Sequence, residues 1–65
     1  MDKTQKPLIG ITAGTIKNRS AIPVCQVGQA YVDAVRRAGG IPAIIPTGIK
    51  LTDLTELVSR FDGFI

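Results

Sequence analysis

Few side chains in this sequence could act chemically on a substrate. A single cysteine, Cys25, could serve as a nucleophile, but the 65 residues include no histidine. A Cys–His or Ser–His pair therefore cannot be built from them, and zinc ligation by histidine and cysteine is excluded as well. Cys25 falls close to the start of a predicted helix. Because a cysteine without a base usually packs as a small hydrophobe, we predict that it is buried and inert.

A long polar segment, "AGTIKNRSAIPV", separates the first predicted strand from the first predicted helix. Its length is greater than that of the usual loop between a strand and a helix, which has about 2 to 6 residues. Ligands of open α/β sheets bind beyond the carboxyl ends of the strands, where this loop begins. Its Lys17, Asn18 and Arg19 supply positive charge and an amide, which suit a substrate carboxylate. We predict that these three residues bind substrate; the alternative is a solvated loop.

Two glycines, Gly10 and Gly14, occur in "GITAGT" near the end of the first strand. They lack the G-x-G-x-x-G spacing of a dinucleotide site. We therefore interpret Gly10 as a position of close packing and Gly14 as a turn.

Apolar periodicity predicts three short strands, in "PLIGIT", "IPAIIP" and "DGFI". Unbroken apolar runs suit strands that are covered on both faces. A helix is predicted in "QVGQAYVDAVRRAGG", ending at Gly39-Gly40 with Arg36 and Arg37 in its last turn. Its apolar stripe includes Tyr31, which we expect in the core. The stripe comprises Val27, Ala30, Tyr31, Ala34, Val35 and Ala38.

A second helix is predicted in "LTDLTELVSRF". Asp53 and Glu56 have capping-box spacing, and Glu56 precedes Arg60 by four residues. The element order β-α-β-α-β predicts an α/β fold: the first part of a doubly wound, mostly parallel, flavodoxin-like sheet. Only a short run follows the turn at Asp62-Gly63, whereas a strand usually has about 5 or 6 residues. We therefore expect a truncated domain, of which residues 1–65 are the amino-terminal portion.

The charge pattern argues against nucleic acid as a partner. The net charge of +3 is the balance of eight Lys and Arg against five Asp and Glu, and the basic residues are scattered along the chain rather than clustered. The amino terminus, "MDKTQKP", is polar and does not resemble a signal peptide, and no apolar run approaches the roughly 20 residues that span a bilayer. We predict a cytoplasmic protein without a membrane partner.

Three segments, "KPLIGITAGT", "AYVDAVRRAGGIPAIIPTG" and "FDGFI", resemble the start of the class I glutamine amidotransferase-like hydrolases, specifically the gamma-glutamyl-gamma-aminobutyrate hydrolase family. The stretch from Tyr31 to Pro46 is the most specific. The resemblance implies a cysteine hydrolase that cleaves gamma-glutamyl amide bonds of a small-molecule substrate. It implies no metal or organic cofactor, and it is compatible with a homo-oligomer.

The catalytic groups that the resemblance implies have no counterpart in these residues. A glycine-rich turn contributing to an oxyanion hole would follow the position of Ile65, and a nucleophile-elbow cysteine, a histidine and an acidic residue would come later. Cys25 does not match the elbow, because "PVCQVG" lacks the glycine two residues before the cysteine. No catalytic residue is carried over, and we expect the 65 residues alone to be inactive.

Two alternatives of other classes remain. A sugar-binding or periplasmic-type receptor lobe also opens with an "IGI" strand, an amphipathic helix and a second strand, and it would bind a ligand without catalysis. A free-standing three-stranded domain that acts only through protein contacts would also lack catalytic pairs. The "AGGIPAIIP" junction favours the hydrolase, and the short last strand argues against the free-standing domain.

Overall fold

The computed structural model describes residues 5–65, so the first four residues of the polar amino terminus lie outside the described part. Residues 5–65 form five strands and two helices. In chain order these elements are β1 (Leu8–Thr12), β2 (Gly14–Lys17), β3 (Pro23–Gln26), α1 (Gln29–Arg37), β4 (Ile41–Ile45), α2 (Leu51–Val58) and β5 (Gly63–Phe64).

Strands β1, β4 and β5 form one parallel sheet in the order β4-β1-β5. Strand β1 pairs with β4 along its whole length, from Leu8 opposite Ile41 to Thr12 opposite Ile45. On its other side, Gly10 lies opposite Phe64 of β5. The helices and the strands of this sheet follow the predicted β-α-β-α-β order, with β2 and β3 inserted after β1 as a separate sheet. The parallel α/β sheet is confirmed and is consistent with the flavodoxin-like class.

Helix α1 begins after Gly28 and ends as the sequence predicts. Gly39 has a φ of +91°, the left-handed conformation that terminates a helix and that glycine adopts without steric cost. Arg36 and Arg37 lie in the last turn, where their positive charges interact favourably with the negative end of the helix dipole. Gly40 then leads directly into β4, and its amide donates to the Val35 carbonyl at 2.9 Å.

Helix α2 begins earlier than the predicted capping box requires. Lys50 is its capping residue, with extended backbone angles, and no side chain hydrogen-bonds at this cap. The first residue of a capping box is the N-cap, which precedes the helix, whereas Asp53 lies inside α2, so that prediction is wrong. Asp53 instead places a negative charge in the first turn, and Glu56 pairs with Arg60 as expected.

The core lies around β1, where Ile11, Val35 and Ile45 are the buried apolar side chains of the described residues. Phe61 and Phe64 stack with ring centroids 5.3 Å apart on the face of β1 to which Gly10 belongs. Coverage of the sheet is partial, contrary to the prediction that the strands are covered on both faces. Ile44 of β4, an edge strand, is 55% exposed.

The segment between β1 and α1 is a hairpin rather than the predicted irregular loop. Strands β2 and β3 pair antiparallel, from Gly14 opposite Gln26 to Lys17 opposite Pro23. Gly14 is therefore the first residue of a strand, and the interpretation of Gly14 as a turn is wrong. The chain reverses instead between Asn18 and Ile22. None of the helices in the described part of the chain is long and apolar enough to cross a membrane.

Candidate functional site

The carboxyl ends of the three parallel strands are joined by hydrogen bonds. The Thr12 amide and hydroxyl both donate to the Ile65 carbonyl, at 3.2 and 3.1 Å. The Ala13 amide donates to the Ile45 carbonyl at 3.0 Å. The ends of β1, β4 and β5 are thereby fixed to one another at the edge of the sheet where ligands of open α/β folds bind.

The base of the hairpin is fastened to the loop that follows β4. The hydroxyl groups of Thr15 and Thr47 lie 2.6 Å apart in a hydrogen bond. The Thr47 amide donates to Cys25 Sγ at 3.3 Å, and the Thr47 hydroxyl lies 3.7 Å from the same sulfur. These contacts join β2, β3 and the β4–α2 loop, so the hairpin base has a fixed position above the edge of the sheet.

A cleft of about 330 Å³ opens between the hairpin base, the amino end of α1 and the end of β5. We call it the carboxyl-edge cleft. Its polar lining side chains are Thr12, Gln26 and Tyr31, and its glycines are Gly14 and Gly28. Ile11, Val27 and Ile65 supply the aliphatic part of the lining. No charged side chain of the described residues lines this cleft.

Tyr31 lies in this cleft and not in the core. It is 54% exposed, so the prediction that it packs with the apolar stripe of α1 is wrong. Tyr31 belongs to the first turn of α1, beside the carboxyl edge of the sheet. A Cβ atom at Gly28 would be 3.4 Å from Tyr31 Cδ2, so the ring rests directly on the glycine that precedes the helix.

Cys25 is exposed, contrary to the prediction that it is buried. It lies in β3 and not at the start of a helix, and its thiol accepts the hydrogen bonds from Thr47. No cluster of three or more His, Cys, Asp or Glu side chains able to hold a metal ion occurs in the described part of the chain. The cleft therefore supplies walls and hydrogen-bonding groups, while these residues supply no nucleophile–base pair.

Lys17, Asn18 and Arg19 are at the far end of the hairpin. Asn18 organises the turn, because its Oδ1 accepts the amides of Ser20 and Ile22 at 2.9 and 3.0 Å. Lys17 and Arg19 are exposed on either side of it. Four strand residues at about 3.3 Å each place this turn roughly 13 Å along the hairpin from Gly14 at the cleft. The three predicted site residues are together, but they lie outside the cleft itself.

Sequence reasoning missed Gln26 as a lining residue. It lies in β3 opposite Gly14, at the base of a hairpin in a segment that was predicted to be a loop. An available signal was the asparagine in "TIKNRSAIPV", since Asn favours turns and here has β-branched residues on both sides. A hairpin prediction on that basis would have placed Gln26 beside the end of β1.

Comparison with known proteins gives one family. No curated protein matches this chain. Residues 7–65, nearly the whole sequence, match the family model described as Peptidase C26. The chain therefore belongs to the Peptidase C26 family, which is of the class I glutamine amidotransferase-like type.

Proposed function

We propose that this chain is the amino-terminal portion of a cysteine hydrolase that cleaves gamma-glutamyl amide bonds, with substrates similar to gamma-glutamyl-gamma-aminobutyrate. Family membership over residues 7–65 supports a hydrolase of the glutamine amidotransferase-like type. The observation that carries the proposal is the carboxyl-edge cleft, which borders Ile65 at the end of β5. The sequence resemblance implies an oxyanion-hole turn directly after that position.

In the proposed reaction, a thiolate from a later part of the protein attacks the gamma-carbonyl carbon and forms a gamma-glutamyl thioester. Backbone N–H groups stabilise the oxyanion, the amine leaves with a proton, and water hydrolyses the thioester. The residues described here contribute the sheet that positions β5 and one wall of the pocket. Cys25 has no part in the proposed step.

Lys17, Asn18 and Arg19 are proposed to bind the alpha-carboxylate of the glutamyl group. The two cations lie at the turn of the hairpin whose base lines the cleft, and a guanidinium can hold a carboxylate through two hydrogen bonds. A glutamyl group and an extended arginine side chain together can bridge the distance between the cleft and the turn. Asn18 also shapes the turn that carries both cations, because its Oδ1 accepts two amides of that turn.

The family match does not favour the receptor-lobe alternative, which has no catalytic role. A small-molecule partner and a cytoplasmic location stay predictions. The proposal is tested by assaying the full-length protein with matched gamma-glutamyl and alpha-glutamyl amides of the same amine. We expect amine release from the gamma-linked substrate only. Equal release from both amides, or release from neither, would overturn gamma-glutamyl specificity.

A further inference from the structure

The carboxyl-edge cleft has three polar lining side chains, and one of them already makes a hydrogen bond within the protein. The Thr12 hydroxyl donates to the Ile65 carbonyl at 3.1 Å. Within residues 5–65, the Gln26 amide and the Tyr31 hydroxyl make no side-chain hydrogen bond to the protein, and both residues are exposed and line the cleft. Two hydrogen-bonding groups therefore remain available to a bound molecule.

The positions of these two groups are set by the fold. Gln26 is fixed in register opposite Gly14 at the hairpin base, and Cys25 beside it is bound to Thr47. The Tyr31 ring rests on Gly28, and the Tyr31 amide donates to the Gly28 carbonyl at 3.1 Å. A glycine at positions 14 and 28 leaves the space between the two side chains open. The pair thus faces the cleft from two separate elements, β3 and α1.

We propose that Gln26 and Tyr31 are specificity-determining residues that hydrogen-bond the polar end of the amine portion of the substrate. This inference rests on the proposed function. The formal positive charges of the region, Lys17 and Arg19, stand at the hairpin turn and match the glutamyl carboxylate. The cleft then remains for the amine portion of the substrate. The Gln26 amide and the Tyr31 hydroxyl are neutral donors, which can bind a carboxylate or a hydroxyl at the end of that amine portion.

The test uses the full-length protein and two gamma-glutamyl amides of equal chain length, one ending in a carboxylate and one in a methyl group. Each variant removes hydrogen-bonding capacity while keeping size: Tyr31→Phe and Gln26→Leu. We expect each to lower kcat/KM about 10-fold for the carboxylate-terminated amide and to leave the methyl-terminated amide unchanged. The loss should appear in KM, because the contact is remote from the bond that breaks.

Gln5→Leu is the matched control, since it makes the same chemical change before the amino end of β1, at the opposite edge of the sheet. Thermal unfolding of each variant separates a loss of contact from a loss of fold. Equal losses on both amides, or no loss on either, would overturn the inference while the proposed function stands. A wild-type protein that hydrolyses neither amide would overturn the proposed function and this inference with it.

Discussion

Gly10 shows how closely the sheet and its neighbours pack at the level of a single atom. A Cβ atom at this position would lie 2.7 Å from Ile45 Cδ1, 2.8 Å from Phe64 Cδ1 and 2.9 Å from Phe61 Cδ2. A Cβ atom essentially never comes within 3.0 Å of a non-bonded atom, so the neighbouring side chains would have to move. The interpretation of Gly10 as a position of close packing is confirmed.

Gly10→Ala is therefore expected to destabilise the full-length protein by about 1 to 3 kcal/mol, the usual cost of overpacking. The free energy of unfolding in urea measures the change. Gly14→Ala is the matched control, because a Cβ atom there would meet no other atom within 4 Å and the residue already has strand conformation. A loss of similar size in both variants would show that strand glycines, and not this contact, set the effect.

Arg19 tests the proposed role of the hairpin turn. If its guanidinium binds the glutamyl alpha-carboxylate in the transition state, Arg19→Ala removes a charge-assisted hydrogen bond of about 1.5 to 3 kcal/mol. The expected result is a decrease in kcat/KM of roughly 10- to 150-fold for gamma-glutamyl amides, with little change in stability.

Arg36→Ala is the control for that measurement. Arg36 is also an exposed arginine, and it lies 4.0 Å from Asp33 on α1, a contact that contributes little in water. We expect neither kcat/KM nor the free energy of unfolding to change much. Full activity of Arg19→Ala would mean that the turn is only solvated and that no substrate carboxylate reaches it.

At the level of elements, local sequence predicted the parts of the fold that are periodic and apolar. The three sheet strands, both helices and the Gly39 stop follow from hydrophobic spacing and from the conformational freedom of glycine. The hairpin was not predicted, because β2 and β3 are short and largely exposed and carry no continuous apolar run. Besides its own pairing and the Asn18 turn, the hairpin is held by hydrogen bonds to Thr47, a contact between distant residues that local sequence does not reveal.

The location of the candidate site could be predicted from the sequence, but the residues that line it could not. The carboxyl edge of a parallel sheet follows from topology alone, so the position of the site could be argued from the sequence. Tyr31 has helical spacing with Val35, yet α1 begins at that edge and leaves the ring uncovered. Cys25 is exposed for a related reason, since it lies in a hairpin that extends from the sheet.

The hairpin turn contains one favourable and one unfavourable feature that can be separated. Asn18→Ala removes the acceptor of the Ser20 and Ile22 amides, at a cost of about 0.5 to 1.5 kcal/mol per hydrogen bond. Ala21 has a φ of +61°, which is strained for a residue with a Cβ atom, so Ala21→Gly should stabilise the turn by up to about 1 kcal/mol.

Hydrogen exchange at the Asn18 and Ala21 amides, which donate within this turn, measures both effects locally. We expect faster exchange in Asn18→Ala and slower exchange in Ala21→Gly, while the Gly10 region of β1 is unchanged. Exchange that rises or falls together across hairpin and sheet would instead indicate that the two are one cooperative unit.

On the scale of the whole molecule, the described residues bury few side chains. Only Ile11, Val35 and Ile45 are buried apolar residues in residues 5–65, while Leu51, Val58 and Ile65 are each at least half exposed. A second, apolar groove of about 340 Å³ includes Ile9, Ala34 and Ala38 beside β5. A chain of this length buries only about 60% of the surface that it exposes when unfolded, so its own core provides marginal stability.

When residues 1–65 are produced alone, they lack the groups that catalysis needs. Their single thiol has no histidine to take its proton, and Cys25 Sγ accepts a hydrogen bond from the Thr47 amide. We therefore expect the isolated 65-residue chain to release no amine from gamma-glutamyl amides, even at concentrations where the full-length protein is readily assayed. Cys25→Ser in the isolated chain is the informative comparison. Turnover that disappears in this variant would identify Cys25 as a nucleophile after all. Turnover that persists would come from a contaminant or from a mechanism without the thiol.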